Sequence, residues 1–363
     1  MRNRIYLFSI LVLLCFNAFS QELIPFSYNG RCGYINSKFN IVIEPRFTHA
    51  GHFSSEGFAS VYTINYYEGI PSRREYIINR SGEIIMTAYP AIQHIYGDLY
   101  SLNTFPENES VIIRLNDKKI IAKDAGGYPA SNDGYFLAAF TYEEKRYYFL
   151  DFNGNKVLAH LNMNRPSASF FEQRASITNE DWEPQIIDMK GNVVGNITFN
   201  NLGGKYSEGL IPAEAKNGVT GYVNRSGNFA FTIPFLTEEI PRATNFCGGY
   251  AAIKTNENPS VWKVINVQGQ IVSGNILVND MWDFSDGLSL VSIYNFEKKE
   301  SKYGYVNTRG EYLVSPILEN ADDFKNGYAR IVYNGKEGLL KTNGKVIWSS
   351  DIMKGFPVEK DLK

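Results

Sequence analysis

Gly304-Tyr305-Val306-Asn307, followed by Gly310, repeats two earlier stretches, Gly33-Tyr34-Ile35-Asn36 and Gly221-Tyr222-Val223-Asn224. Fainter copies fill the gaps. Anchored on the Asn place, they fall at residues 36, 79, 115, 151, 188, 224, 266, 307 and 341, spaced 34 to 43 residues apart. A period of that size describes an array of small similar units rather than a single enzyme core.

Three elements recur in each unit. The first is a strand, a turn and a second strand, with Asn or Asp opening the turn and Gly three residues later. Asn79 and Gly82, Asp151 and Gly154, Asp188 and Gly191, Asn224 and Gly227, Asn266 and Gly269, and Asn307 and Gly310 follow this spacing, and Gly344 closes the last copy. An Asx side chain accepts a local backbone hydrogen bond at the start of a turn, and glycine supplies the positive φ that ends it. These residues therefore read as turn chemistry. The copy at Leu115 is the weakest, with Lys118 in the glycine place, and Phe39 replaces glycine after Asn36, which predicts a differently built turn there.

The second element is an aromatic, a short polar stretch and a glycine before an apolar strand, as in Phe246 to Ala251, Phe284 to Leu288 and Phe324 to Ala329. It reads as a ring packed beneath a chain reversal. The third is a hairpin turn at Asn29-Gly30, Asn217-Gly218 and Asn334-Gly335, the strongest short hairpin signal. Each unit is thus an antiparallel meander of about three strands. The expected fold is all-β, nine such repeats over residues 21–348 in an open, solenoid-like stack. The alternative is a closed β-propeller. Nine units exceed the usual 4–8 blades, and no strand is evidently left over to fasten a ring.

The units resemble the WG-repeat (KWG-type) family of bacterial β-repeat proteins. Gly33 to Asn36 with Val42-Ile43-Glu44-Pro45 and Phe53 to Val61 follow its pattern, as do Lys302 to Pro316 with Phe324 to Ile331, and Tyr206-Ser207-Glu208-Gly209-Leu210. The name-giving Trp-Gly pair is absent: Trp262 precedes Lys263, while Cys32 and Tyr303 precede glycines. The resemblance implies tandem β units on exported or envelope-associated proteins and no particular activity.

Residues 1–20 read as a cleaved secretion signal. Arg2 and Arg4 precede an apolar run from Ile5 to Phe16, and Ala18-Phe19-Ser20 forms a small-x-small site. The run is short for a membrane span, and Leu14 sits where lipidation of Cys15 would need a small residue. The expected location is the periplasm, envelope or exterior. Without the signal the chain has 34 basic and 38 acidic residues, a net charge of −4. That balance argues against nucleic acid and anionic membranes as partners, and a monomer is expected. Cys32 and Cys247 fall in distant repeats and read as separate buried thiols. Residues 349–363 read as a polar tail or cap.

Catalytic signals are weak. His49 and His52 lie near Glu44 and Glu56, but read as a polar loop rather than a metal site. His94 and His160 are isolated. Asp322-Asp323 and Glu238-Glu239 are adjacent pairs, which a strand points to opposite faces. No catalytic residue, metal or cofactor is expected. Aromatics outside repeat positions are the better lead: Trp182, Trp282, Tyr66 and Tyr67 are candidate exposed rings for a glycan or protein partner. The expected function is a non-enzymatic exported scaffold binding an unknown protein or glycan. A carbohydrate-binding module or glycan-active enzyme with a groove along the array is the alternative, and a plain structural spacer a third reading.

Overall fold

The computed structural model describes residues 22–140, 147–164, 168–234, 243–255 and 261–362. The signal segment and Glu238-Glu239 lie outside them. Among the described residues the regular structure is β-strand apart from one short helix, Ser349–Met353, and no helix is long and apolar enough to cross a membrane.

The turn chemistry explains the local structure. Asn307 Oδ1 accepts the N–H groups of Arg309 and Glu311, while Gly310 N–H donates to the Asn307 carbonyl. The same pattern recurs at Asn79, Asp151, Asp188, Asn224 and Asn266. Positive φ is kept at the fourth turn position in all nine copies, including the two without glycine. Phe39 takes φ 61° and Lys118 φ 55°. The Asn36 turn is therefore not built differently. Phe39 N–H donates to Asn36 O at 2.8 Å, and Asn36 Oδ1 accepts from Lys38 and Asn40. A left-handed phenylalanine costs about 1–2 kcal/mol, which its ring offsets by packing edge-on against Tyr328, 5.9 Å away.

The strands do not form nine equal three-stranded units. Five sheets have four or more strands, all antiparallel neighbours in chain order. The largest has seven, because the long strand Ile84–Tyr96 serves two successive units. Smaller sheets complete the set: three strands at Ile24–Tyr28, Arg31–Ile35 and Ile41–Phe47, and the two-stranded hairpins Arg174–Thr178 with Pro184–Asp188 and Tyr250–Lys254 with Trp262–Asn266.

Nor is the stack open. Ile24, Phe26 and Ile35 from the first unit share one core cluster with Leu339, Ile347 and Ile352 from the last. Gly30 N–H donates to Glu337, and Asn326 donates to Glu22. Stacked sheets lie about 10 Å apart, so an open stack of nine would hold its ends roughly 80 Å from each other. The chain instead closes into a propeller-like ring. Among the described residues side-chain packing fastens it, and no strand is shared between the first and last sheets. The tail is a cap. Ile352 is buried in the closing cluster, and Glu359–Asp361 adds a fifth strand beside Lys345–Trp348. Closure also removes the array axis along which an extended groove was expected.

Candidate functional site

Successive units are joined at the ring's inner side by one repeated set of contacts. Tyr34, Tyr222 and Tyr305 are buried, and each donates its hydroxyl to a carbonyl of the next unit: Gly51, Thr244 and Asp322, at 2.7, 2.8 and 2.6 Å. Each tyrosine ring also packs on the next unit's phenylalanine, Phe53, Phe246 or Phe324, with centroids 4.8 Å apart in all three cases. Ser207 and Ser285 then donate to the carbonyls of Phe246 and Phe324. The carboxylates of Glu208 and Asp286 accept the N–H groups of Gly249 and Gly327. The aromatic-polar-glycine element is therefore an interunit joint as well as a chain reversal.

The joint fixes what faces the ring's interior. The residue before the aromatic therefore occupies a constant place beside the joint. That place holds His52, Lys205, Asn245, Asp283 and Asp323 in units whose aromatic is Phe53, Tyr206, Phe246, Phe284 and Phe324. His52, Lys205, Asp283 and Asp323 line a single cavity of about 650 Å³, together with His49, Cys247, Asp322, Lys325 and Arg330. A smaller recess of about 170 Å³ adjoins it at the closing seam, bordered by Cys32, His49, Asp322, Arg330 and Glu337. Residues from distant parts of the sequence meet here because the ring closes.

The charged groups are not equivalent. Arg330 pairs with Asp322 and donates to Cys32 Sγ at 3.6 Å across the seam. Asp283 accepts from both the backbone and the side-chain amide of Asn245, each at 2.9 Å. Asp323 has no hydrogen-bond partner among the described residues. Burial, followed by the neighbouring Asp322 and Asp283, pushes its carboxyl up. His52 is lowered to about 4, chiefly by desolvation and then by Lys325 and Arg330. His49 is lowered for the same leading reason, and stacks on Tyr62 at 5.2 Å. Cys32 and Cys247 are free thiols. Cys32 is buried, but Cys247 is exposed to the cavity, contrary to the expectation of two buried thiols.

The His52 shift has a consequence for stability. The folded protein holds this ring neutral down to about pH 4, whereas the unfolded chain protonates it near 6.5. Its contribution is complete above pH 6.5 and is lost as pH falls towards 4. His52→Gln should therefore reduce the fall in stability between pH 6.5 and 4 by about 2 kcal/mol. Chemical denaturation across that range measures it, and parallel curves for the two proteins would refute it.

The rings singled out from sequence lie elsewhere. Trp182 is 67% exposed and sits at φ 62° in the Asn179–Glu183 turn. Trp282 is 39% exposed on the strand Asp280–Ser285. Tyr66 is 74% exposed at the tip of the Phe58–Tyr67 and Ile70–Asn79 hairpin, where Tyr67 pairs with Ile70. They lie on or beside three different sheets, and Trp182, Trp282 and Tyr66 do not border the cavity. His49 and His52 do border it. Among the described residues no group of three or more His, Cys, Asp or Glu is arranged to hold a metal ion.

The family model for the WG containing repeat matches residues 33–66 and 303–336. No curated protein matches the chain. Similar solved structures include the computationally designed Ika8 protein, with a TM-score of 0.49 and 9% identity over 88% of this chain and 99% of that one. BamB from Moraxella catarrhalis has a TM-score of 0.42 and 14% identity over 75% and 94%. The Cps50 (Swd1) beta-propeller domain from Myceliophteria thermophila has a TM-score of 0.37 and 11% identity over 69% and 96%. The two matched stretches carry the WG containing repeat and border, from either side, the seam at which the propeller-like ring closes.

Proposed function

We propose that this WG-repeat protein is a non-enzymatic binding scaffold, exported by its N-terminal signal, whose ligand occupies the central cavity. One observation carries the reading. The repeat place before the buried aromatic is held at the ring's interior by the interunit joint, yet its chemistry changes from unit to unit, from His52 to Lys205 to Asp283 to Asp323. A purely structural spacer has no use for a constant geometry that presents varied charged groups to one shared cavity. A rigid ring with such a lining is suited to selecting a small solute, since its groups are oriented before the ligand arrives.

Cys247 lines this cavity and makes no side-chain hydrogen bond among the described residues, so Cys247→Trp fills the volume without breaking the joint. The wild type, exposed to a small-molecule extract of the producing cells and their medium, should retain a bound solute in native mass spectrometry. Cys247→Trp should lose it while keeping its melting temperature. Equal retention by both proteins, or retention by neither, would sink the cavity reading.

A further inference from the structure

The carboxylates that link neighbouring units form a series with one member missing. Asp133 accepts the N–H of Gln173 at 2.9 Å, and Glu172 accepts the N–H groups of Glu208 and Gly209 at 2.8 and 2.6 Å. Glu208 then accepts the N–H of Gly249 at 2.9 Å, and Asp286 that of Gly327 at 2.7 Å. Each carboxylate thus reaches a two-residue turn in the next unit, 37 to 41 residues further along. The turns are alike: Glu172-Gln173, Glu208-Gly209, Gly248-Gly249, Asp286-Gly287 and Asn326-Gly327 have positive φ at both positions. Successive N–H groups in such a turn form a concavity that takes anions. Asp286-Gly287 is the exception. The residue 39 places before Gly287, where its carboxylate belongs, is Gly248. Among the described residues neither the Asp286 nor the Gly287 N–H has an acceptor. Gly248 has φ 62°, close to the 53°, 55° and 51° of Glu172, Glu208 and Asp286, and a Cβ there meets nothing within 4 Å. The space for the missing side chain is open.

We propose that this gap is a carboxylate-binding subsite, where the ionised carboxyl of a small solute replaces the side chain absent at Gly248 and accepts from the Asp286 and Gly287 N–H groups. This rests on the cavity being the binding site, and it names the ligand class. The gap adjoins the cavity, since Cys247 on one side of it and Ser285 on the other both line that volume. Asp286 itself does not bar an anion. Glu208 carries the same charge in the turn that holds Glu172, because its own carboxylate is drawn forward to Gly249, and Asp286 is drawn forward to Gly327 in the same way. A cation is also within reach. Burial, then Glu208 and Asp283, push the Cys247 thiol up, while Lys205 lowers it and Asp286 raises it, so Lys205 and Asp286 act on one thiol. The filled Glu172 turn likewise has a cation, Arg225, on its carboxylate. Hydrogen bonds to an ionised acceptor are roughly twice as strong as neutral ones, which favours a carboxylate over its amide.

The probes are acetate and its neutral counterpart acetamide, titrated at constant ionic strength into the isotope-labelled full chain, with the Gly287 amide followed by NMR. Acetate should move the Gly287 amide proton downfield along a saturable curve, and acetamide at the same concentration should move it roughly fivefold less. Gly248→Asp supplies the missing carboxylate within the chain. In that variant Gly287 should resonate downfield without any ligand and lose its response to acetate. Equal responses to acetate and acetamide in the wild type would overturn the subsite, whether or not the variant folds. So would an unchanged acetate response in folded Gly248→Asp. In native mass spectrometry Gly248→Asp should lose the solute that the wild type retains. Equal retention by the two proteins would overturn the subsite and leave the cavity reading standing. No selective Gly287 response and no retained solute would remove both.

Discussion

Gly304→Ala should destabilise the protein by about 3 kcal/mol or more, although the change adds one methyl group. A Cβ at Gly304 would lie 2.5 Å from the Val314 carbonyl oxygen and 2.7 Å from Pro316 N. Gly33 and Gly221 face equivalent carbonyls, those of Ile43 and Phe231, each at 2.3 Å. In all three units the following strand bulges, shifting register beside the glycine or the tyrosine after it, and its backbone crosses the face of the glycine. The obstacle is main chain on both sides. No side-chain rotation can relieve it, so the bulge must straighten or the strands must part. Either response moves Tyr305, whose hydroxyl and ring form the joint to the next unit. Gly204 and Gly274 serve as controls, since a Cβ there meets nothing within 4 Å and neither glycine has positive φ. Their alanine variants should be neutral or slightly stabilising. Denaturant titration of the variants tests the contrast, and a Gly304→Ala protein as stable as Gly204→Ala would show that the bulge yields cheaply.

That glycine marks the limit of what could be read from the sequence. The Gly-Tyr pair was visible as a repeat, but only the bulged neighbour strand explains the glycine, and a bulge leaves no separate mark in the residues. The Asx turns were legible because their hydrogen bonds close within five residues, so a local motif suffices. Phe39 was misjudged for the opposite reason. The ring that makes its left-handed conformation tolerable packs on Tyr328, at the other end of the chain. Closure itself was hidden in the same way. Counting repeats assumes that each unit is one blade, whereas Ile84–Tyr96 serves two units and other units contribute only a hairpin. As for the site, Lys205, Asp283 and Lys325 drew no notice because each looks like an ordinary surface charge in its own loop. The usable signal was positional. Aligning the units on the buried aromatic brings the residue before it, polar or charged in all five units, into one column.

Ring closure makes a second large effect testable. Phe26 is fully buried in the first unit, where it packs with Leu339 and Ile352 of the last. Phe26→Ala should cost about 3–5 kcal/mol, and Ile352→Ala about 2–5 kcal/mol. The single values alone do not separate a ring from a stack, since either change would loosen its own unit. The double variant does. In an open array the two residues would be remote and their effects would add to within about 0.5 kcal/mol. In the ring they line one cluster, so the first truncation already opens the seam and the second loses less. A coupling of about 1 kcal/mol or more is expected. The consequence extends to binding. His49 and Arg330 meet only across this seam, so Phe26→Ala should also weaken retention of a cavity ligand although Phe26 does not touch the cavity. Additive stabilities combined with unchanged ligand retention would mean that the ends of the chain are not joined in solution.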